Sequence, residues 1–446
     1  MNIDLNSNLE PVEKRLLHLC SGKDLEQLAR SCGFYKRTFR KISPIAFVQG
    51  LSRATLTAFP SLNIIAGTIA AVTGNLVSKQ ALSKRIQASA VSFLTQLLRM
   101  AIAHPIHIDM KQIDQLLTAF SRVWISDSTT IKLHPSLAQF FPGSRNQTKK
   151  QSAILRIQLS LDLRSGLLDG IGLSPYTRND QKASPDIFAI AQKGHLVIRD
   201  LGYFSLKVFA QMIQKGIFFI SRIPYGVSLF DAKLKPIHLL KILKKNKTAF
   251  DRELVVGAEE KLTLRVVAIP VPEKEIKKRT QKAKKDCRAN HSKEYIELLG
   301  WTVFVTNIPD TLLPTNLIYS IYAIRWKIEI IFKIWKSFFR IVEIPKASVS
   351  YVQCLVYAKL ILVVLINHSQ IVISTAVNQK YEQSISPMKF AQFISQPILK
   401  LFSPIDPEKW NFSLLEFVNY YCSYEKRTRI NMADCMAKLI PINEMH

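Results

Sequence analysis

The chain has 446 residues, and its 61 Lys and Arg against 33 Asp and Glu give a formal net charge of +28. Apolar residues make up 48% of it, enough for a sizeable core, which excludes general disorder and, at roughly 100–200 residues per domain, predicts several domains. Only 15 residues are glycine, which argues against a protein built on glycine-rich loops, and so basic a surface points to a polyanion, nucleic acid first.

Residues 1–120 read as helical. LEQLARSCGFYKRTFRKI places Leu25, Leu28 and Ala29 at helical spacing, then Gly33 at a turn, then Lys36, Arg37, Arg40 and Lys41. IAAVTGNLVSKQALSKRI repeats the layout with Ala70, Gly74 and the polar face Lys79, Gln80, Lys84 and Arg85. A small residue followed four positions on by glycine suits a helix-turn-helix, and an ordinary basic hairpin is the competing reading. The N-terminal stretch MNIDLNSNLEPVEKR lacks the layout of a signal peptide.

From about 121 the pattern becomes α/β. VWISDSTTIKL, ILRIQLSLDLRSGLL and HLVIRDLGYFS predict strands, KVFAQMIQKG a helix ending at Gly216, and IFFISRIP a further strand. Residues 225–310 hold the strand-like ELVVG, LTLRVVAIPV and WTVFVTNIP around a lysine-rich stretch. From Lys274 to Arg288 that stretch carries eight Lys and Arg against two acids, a solvated loop or a DNA-backbone contact. Residues 311–370 turn helical again. Within them 351–369 are apolar but carry Lys359 near the middle, which predicts a buried core helix rather than a membrane span. Residues 371–446 show no clear pattern.

Six cysteines (Cys20, Cys32, Cys287, Cys354, Cys422 and Cys435) form no C-x-x-C pair. That fits neither a zinc site nor a disulfide framework and predicts a reducing, cytoplasmic compartment. His104 and His107 stand three apart without a third ligand.

Asp127 and Asp200 each follow a short apolar run, at the carboxyl end of a predicted strand, where α/β proteins place ligand sites. Burying one carboxylate costs several kcal/mol unless a cation compensates, so two at strand ends invite a metal. Taken singly, each also reads as a turn residue or helix N-cap. The segment 317–342 predicts one long helix. At about 100° per residue from Tyr322, Arg325 falls near 300°, Glu329 near 340° and Lys336 near 320°. Lys333 lies off that line, near 20° by the same count. Ile321, Ile324, Ile328, Ile331, Trp335, Phe338 and Phe339 form the core-facing stripe, so the aromatics read as packing.

The spacing Tyr322-x2-Arg325-x3-Glu329-x6-Lys336 resembles the YREK signature of bacterial insertion-sequence DDE transposases, insertion sequence family four. The blocks ISDSTT around Asp127 and RDLGYF around Asp200 look like that family's two aspartate motifs. The resemblance implies a ribonuclease-H-like catalytic core (121–224 and 311–370) interrupted by an inserted β-rich domain (225–310). A helical DNA-binding region (1–120) would precede it, and a C-terminal region (371–446) open to a role in dimerisation would follow. It makes Asp127, Asp200 and Glu329 the acids holding two divalent ions, Mg²⁺ in first place and Mn²⁺ as substitute. Tyr322, Arg325 and Lys336 would hold backbone phosphates, with Lys333 a looser candidate. Trp301 stands where some relatives stack an unpaired base, core packing being the alternative. The implied activity is DNA strand cleavage and transfer at transposon inverted ends and into target DNA by a homodimer, in the bacterial nucleoid and away from membranes. The rivals are a stand-alone ribonuclease-H-like nuclease and a catalytically silent DNA-binding regulator derived from a transposase. A membrane-surface protein comes third.

Overall fold

The computed structural model describes residues 22–37, 39, 41–103, 119–145, 151–245, 248–286, 291–381 and 385–394. Cys20, Cys287, Cys422, Cys435, His104, His107 and most of 371–446 lie outside these described residues.

The N-terminal part is helical: α1 (Gly22–Ser31), α2 (Pro44–Ala54), α3 (Leu62–Thr73), α4 (Lys79–Arg85) and α5 (Ala88–Ala103). Serines set three of these starts, because the side chains of Ser43, Ser61 and Ser78 accept the N–H groups of Ala46, Ile64 and Ala81. Among the described residues, the first expected helix-turn-helix has no second helix. After the turn at Gly33 the described residues of 34–43 form no helix. Phe34 and Tyr35 are buried there, the Tyr35 hydroxyl donates to the Ile42 carbonyl, and Pro44 fixes where the next helix begins. The second pair exists as α3 and α4 across a turn at Gly74. Helices α2 and α3 cross closely at Gly50, where a Cβ would lie 2.2 Å from the Ile69 side chain.

A ten-stranded sheet follows. Its strands are β1 (Val123–Leu133), β2 (Pro142–Arg145), β3 (Gln151–Asp162), β4 (Leu168–Pro175), β5 (Leu196–Arg199), β6 (Phe218–Arg222), β7 (Leu229–Phe230), β8 (Phe250–Val256), β9 (Leu262–Pro270) and β10 (Trp301–Thr306). The order is β2-β3-β1-β5-β6-β10-β9-β8-β7, with β4 also paired to β3. Strand β1 runs antiparallel to β3 and parallel to β5, β5 runs parallel to β6, and β10, β9 and β8 continue antiparallel. The strands of 225–310 are thus hydrogen-bonded into the main sheet through β10 and β6, not set apart from it. Helices α6 (Asp180–Ala183), α7 (Leu206–Gln214), α8 (Leu239–Lys245), α9 (Glu273–Lys285) and α10 (Lys293–Leu298) lie along this stretch. The lysine-rich segment is helix α9 as far as Lys285.

Both faces of the sheet are buried, which is why its central strands read as unbroken apolar runs. Leu196, Ile198, Val267 and Phe304 join the larger apolar cluster, and Val197, Val266, Ala268 and Val305 point into the second. The larger cluster also takes in the N-terminal helices and α11 (Thr315–Ala323), α12 (Trp326–Ser337), α13 (Val349–Tyr381) and α14 (Pro387–Ile394). Helix α13 has the length and apolarity to cross a bilayer, with a mean hydropathy of 2.2 over an 18-residue stretch within Val349–Thr375, yet 78% of that stretch is buried inside the protein. It packs against α5 and α2, as the core-helix reading of 351–369 expects.

Lys359 is 1% exposed on α13, and its ammonium donates to the carbonyls of Arg340 (2.6 Å) and Glu343 (3.3 Å). It closes the loop after α12, where Arg340 holds a left-handed φ of 47°. Burial pushes Lys359 down to about 8. Lys359→Met keeps the stem but orphans both carbonyls, and should cost about 1–3 kcal/mol in a urea melt; an unchanged midpoint would mean the carbonyls find other partners.

Candidate active site

Asp127 lies in the middle of β1, not at its end. The strand continues past it because β3 pairs with β1 from Trp124 to Leu133. Its parallel pairing with β5, however, stops at Ser126↔Arg199. Asp127 and Asp200 are therefore the next residues on two adjacent parallel strands, just past their last paired position. That is the crevice where sheets of this kind present ligand groups.

The third acid arrives on the helical segment. The expected single helix is two, α11 and α12, joined through Ile324 and Arg325. There the N–H groups of Ile324, Arg325, Lys327 and Ile328 each reach back three residues, to Ile321, Tyr322, Ile324 and Arg325, so the join is a tightened turn. The stripe behind it is core as expected, with Ile321, Ile324, Ile328, Trp335 and Phe339 buried and Ile331 and Phe338 half-buried.

Arg325 stands at the centre. Its guanidinium lies 3.1 Å from Asp127 Oδ2, 2.9 Å from Glu329 Oε1 and 3.9 Å from Asp200 Oδ1, with an Arg side chain only 8% exposed. The Tyr322 hydroxyl, also buried, donates to Asp200 Oδ1 across 3.4 Å. Three acids from three separate segments thus share one cation. Burial pushes Asp127 up to about 6, against the pull of the Ser128 N–H (2.7 Å) and Arg325, while Asp200 and Asp180 push the same way as burial. Burial works against the charge on Arg325, but Asp200, Tyr322, Asp127 and Glu329 outweigh it and hold its pKa above the ordinary value. Tyr322 is raised by burial first, then by Asp200.

Lys333 and Lys336 are exposed on α12, beyond Glu329. Trp301 is half-buried at the head of β10 against the second apolar cluster, and its carbonyl accepts from Arg279 at 3.3 Å. Neither lysine nor Trp301 contacts the three acids. Trp326 departs from the reading of the aromatics as packing, being 57% exposed beside the Arg325 guanidinium.

A second network, which no motif or spacing in the chain announces, lies behind the acids. Asp180 Oδ1 accepts from the Ser128 hydroxyl (2.7 Å), Arg156 (2.8 Å) and Gln158 (3.1 Å). Gln158 accepts in turn from the buried Tyr203 hydroxyl. Ser128 adjoins Asp127 and Tyr203 belongs to the turn after Asp200, so Asp180 ties the two aspartate blocks together. Periodicity hides this, because Arg156 and Gln158 sit as ordinary alternating residues on β3.

Three carboxylates with no nitrogen or sulfur donor suit a hard divalent cation. Among the described residues no three acid, His or Cys side chains enclose an ion by themselves; the carboxylates meet across Arg325. Three carboxylates facing one guanidinium leave an excess of negative charge that a cation fits.

The family model described as "Transposase DDE domain" matches residues 118–365, more than half the chain. The chain belongs to the DDE transposase family. Related proteins include the transposase for insertion sequence element IS231D of Bacillus thuringiensis subsp. finitimus, 29% identical over 91% of this chain and 89% of that protein. The transposase for IS231B of Bacillus thuringiensis subsp. berliner is 29% identical over the same shares. The transposase for IS1151 of Clostridium perfringens is 24% identical over 70% of each chain. The solved synaptic complex of piggyBac transposase with hairpin DNA covers 90% of this chain and 82% of that one at 9% identity, with a TM-score of 0.41, too loose to bear on the fold. This chain is accordingly a DDE transposase, an enzyme of DNA transposition, and the family implies the use of divalent metal.

Two consequences can be measured on this transposase. Asp127, ordinarily near about 4, stands at about 6 in the fold, so folding favours its protonated form. That stabilisation is complete below about pH 4 and lost as pH rises through about 6. In chelator, the wild type should gain on Asp127→Asn as pH falls from 7 to 4, by up to about 3 kcal/mol; a difference independent of pH would show ordinary ionisation. Asp180→Asn, which loosens both aspartate blocks, should lower transposition frequency about 10- to 100-fold at an unchanged melting temperature, with Asp180→Glu recovering part of it. An equal fall in melting temperature would reduce Asp180 to a packing role.

Proposed function

We propose that this transposase cuts DNA at the inverted ends of its own element and joins those ends to target DNA, with Asp127, Asp200 and Glu329 as the catalytic, metal-holding acids. The observation that carries this reading is the meeting of those three carboxylates, from β1, the end of β5 and α12, around one buried arginine. The strand order β4-β3-β1-β5-β6, with three antiparallel strands followed by two parallel to β1, supports a ribonuclease-H-like core in 121–224 and 311–370. Residues 225–310 then form the insertion and 1–120 the DNA-binding region.

The three acids would hold two Mg²⁺ ions, with Mn²⁺ as substitute, which supply the polarisation that makes water or a 3′-hydroxyl an attacking group and eases departure of the leaving oxygen. The chain's own residues do the positioning. Arg325 presents a planar fork suited to bidentate contact with a backbone phosphate, and Tyr322 orients Asp200 through its hydroxyl. Lys333 and Lys336, exposed on the helix that carries Glu329, offer further phosphate contacts, and Trp301 a flat face for an unpaired base. A homodimer bound to both inverted ends would cleave each in trans.

Cleavage of a labelled inverted-end duplex with Mg²⁺ tests this. Glu329→Gln should lower strand cleavage by more than about 100-fold while end binding survives. Cleavage at the wild-type rate would falsify the assignment, and binding without cleavage by the wild type itself would favour the silent regulator.

A further inference from the structure

Two basic segments that lie some fifty residues apart in the sequence meet in one cleft on the N-terminal helices. It is an open hollow of about 340 Å³ lined by Gly33, Phe34, Lys36, Arg37 and Arg85. Three cations line it and no acid does. Its walls are fixed to the core. Phe34 stacks on Phe93 at 5.1 Å and Phe47 lies 4.8 Å away, while the Tyr35 hydroxyl is tied to the Ile42 carbonyl. Arg85, at the end of α4, lays its guanidinium over the Tyr35 ring at 4.4 Å and reaches the Phe34 carbonyl at 3.5 Å. Gly33 turns the chain with a φ of +68° and has nothing within 4 Å of where a Cβ would stand, so the rim there stays open. Lys36 and Arg37 project from the non-helical stretch beside it, exposed.

We propose that this cleft is a docking site for the phosphate backbone of duplex DNA, built by the loop after α1 together with α4. The loop's failure to form a recognition helix is part of the argument. No helix carries Lys36 and Arg37 into a groove, and what is presented is a fixed guanidinium flanked by two exposed cations, which grips phosphates and reads no bases. The site rests on the reading of the chain as a DNA-handling transposase and adds a contact remote in sequence from the acids.

The test is the salt dependence of binding to a labelled inverted-end duplex and to an unrelated duplex of equal length. It compares the full chain with Lys36→Gln/Arg37→Gln and with Arg85→Gln. Each lost phosphate contact should take about one unit off the slope of log affinity against log salt. The weakening should be the same for both duplexes, with the melting temperature held as a folding control. Unchanged slopes on both duplexes would overturn the proposal. Weakening confined to the inverted end would also overturn it, since that is base readout. If the variants bind normally and cleavage still depends on Glu329, only the cleft fails; a wild type that binds no DNA at all fails the proposed cleavage of the inverted ends.

Discussion

The site depends on one guanidinium. Three carboxylates drawn together in a partly dry crevice repel one another, and each loses hydration, a cost of several kcal/mol apiece without compensation. Arg325, 8% exposed, faces all three. Its planar fork reaches Asp127 and Glu329 through different nitrogens at the same time, which the point charge of a lysine could not do. Burial falls hardest on Asp127, the most enclosed of the acids, and pushes its pKa up to about 6, with Asp200 and Asp180 adding to it.

That arrangement is set by backbone register more than by side chains. The parallel pairing of β1 with β5 ends at Ser126↔Arg199, which brings the two aspartates abreast, while β1 runs on through the site in continuous pairing with β3. The tightened turn at 324–325 then swings α12 so that Arg325 faces the strands and Glu329, one helical turn later, closes the group. Asp180 adds the second tie, holding Ser128 and, through Gln158, Tyr203. A shift of one residue in the β1–β3 register would turn Asp127 to the other face of the sheet.

Much of this was legible in the sequence, and what was not has physical reasons. The principal strands show themselves by apolar runs, because a sheet buried on both faces needs apolar side chains on both. Strand β4 escaped notice because Gly170, Gly172 and Pro175 break its pattern; its partner β3 supplies the order. The spacing from Tyr322 to Lys336 marked the signature segment, but ideal helical angles assume an unbroken helix, and the tightened turn at Arg325 left Tyr322 and Arg325 buried in contact with the acids. Asp127 looked like a strand terminus because an acid interrupts the apolar run, whereas the ladder to β3 carries the strand six residues further. The Asp180 network and the basic cleft were invisible for a common reason: each joins residues whose only relation is three-dimensional.

The apolar core does not stop at the limits of the family match, 118–365. Helix α13 begins inside that span and ends beyond it, and Val352, Leu355, Val356 and Leu360 on it are fully buried. The partners of α13 include α2 and α5, from the region preceding the match, and the Tyr351 hydroxyl donates to the Pro60 carbonyl at 2.9 Å. So apolar a helix, stripped of those partners, would present a broad greasy face to water. The N-terminal helices therefore serve two ends in one packing arrangement. They complete the core on which α12 and its glutamate are seated, and the same packing of Phe34 against Phe47 and Phe93 holds the basic cleft in shape. A disturbance of that aromatic cluster would be felt at both places, which makes the basic cleft and the acid site two surfaces of one folded body.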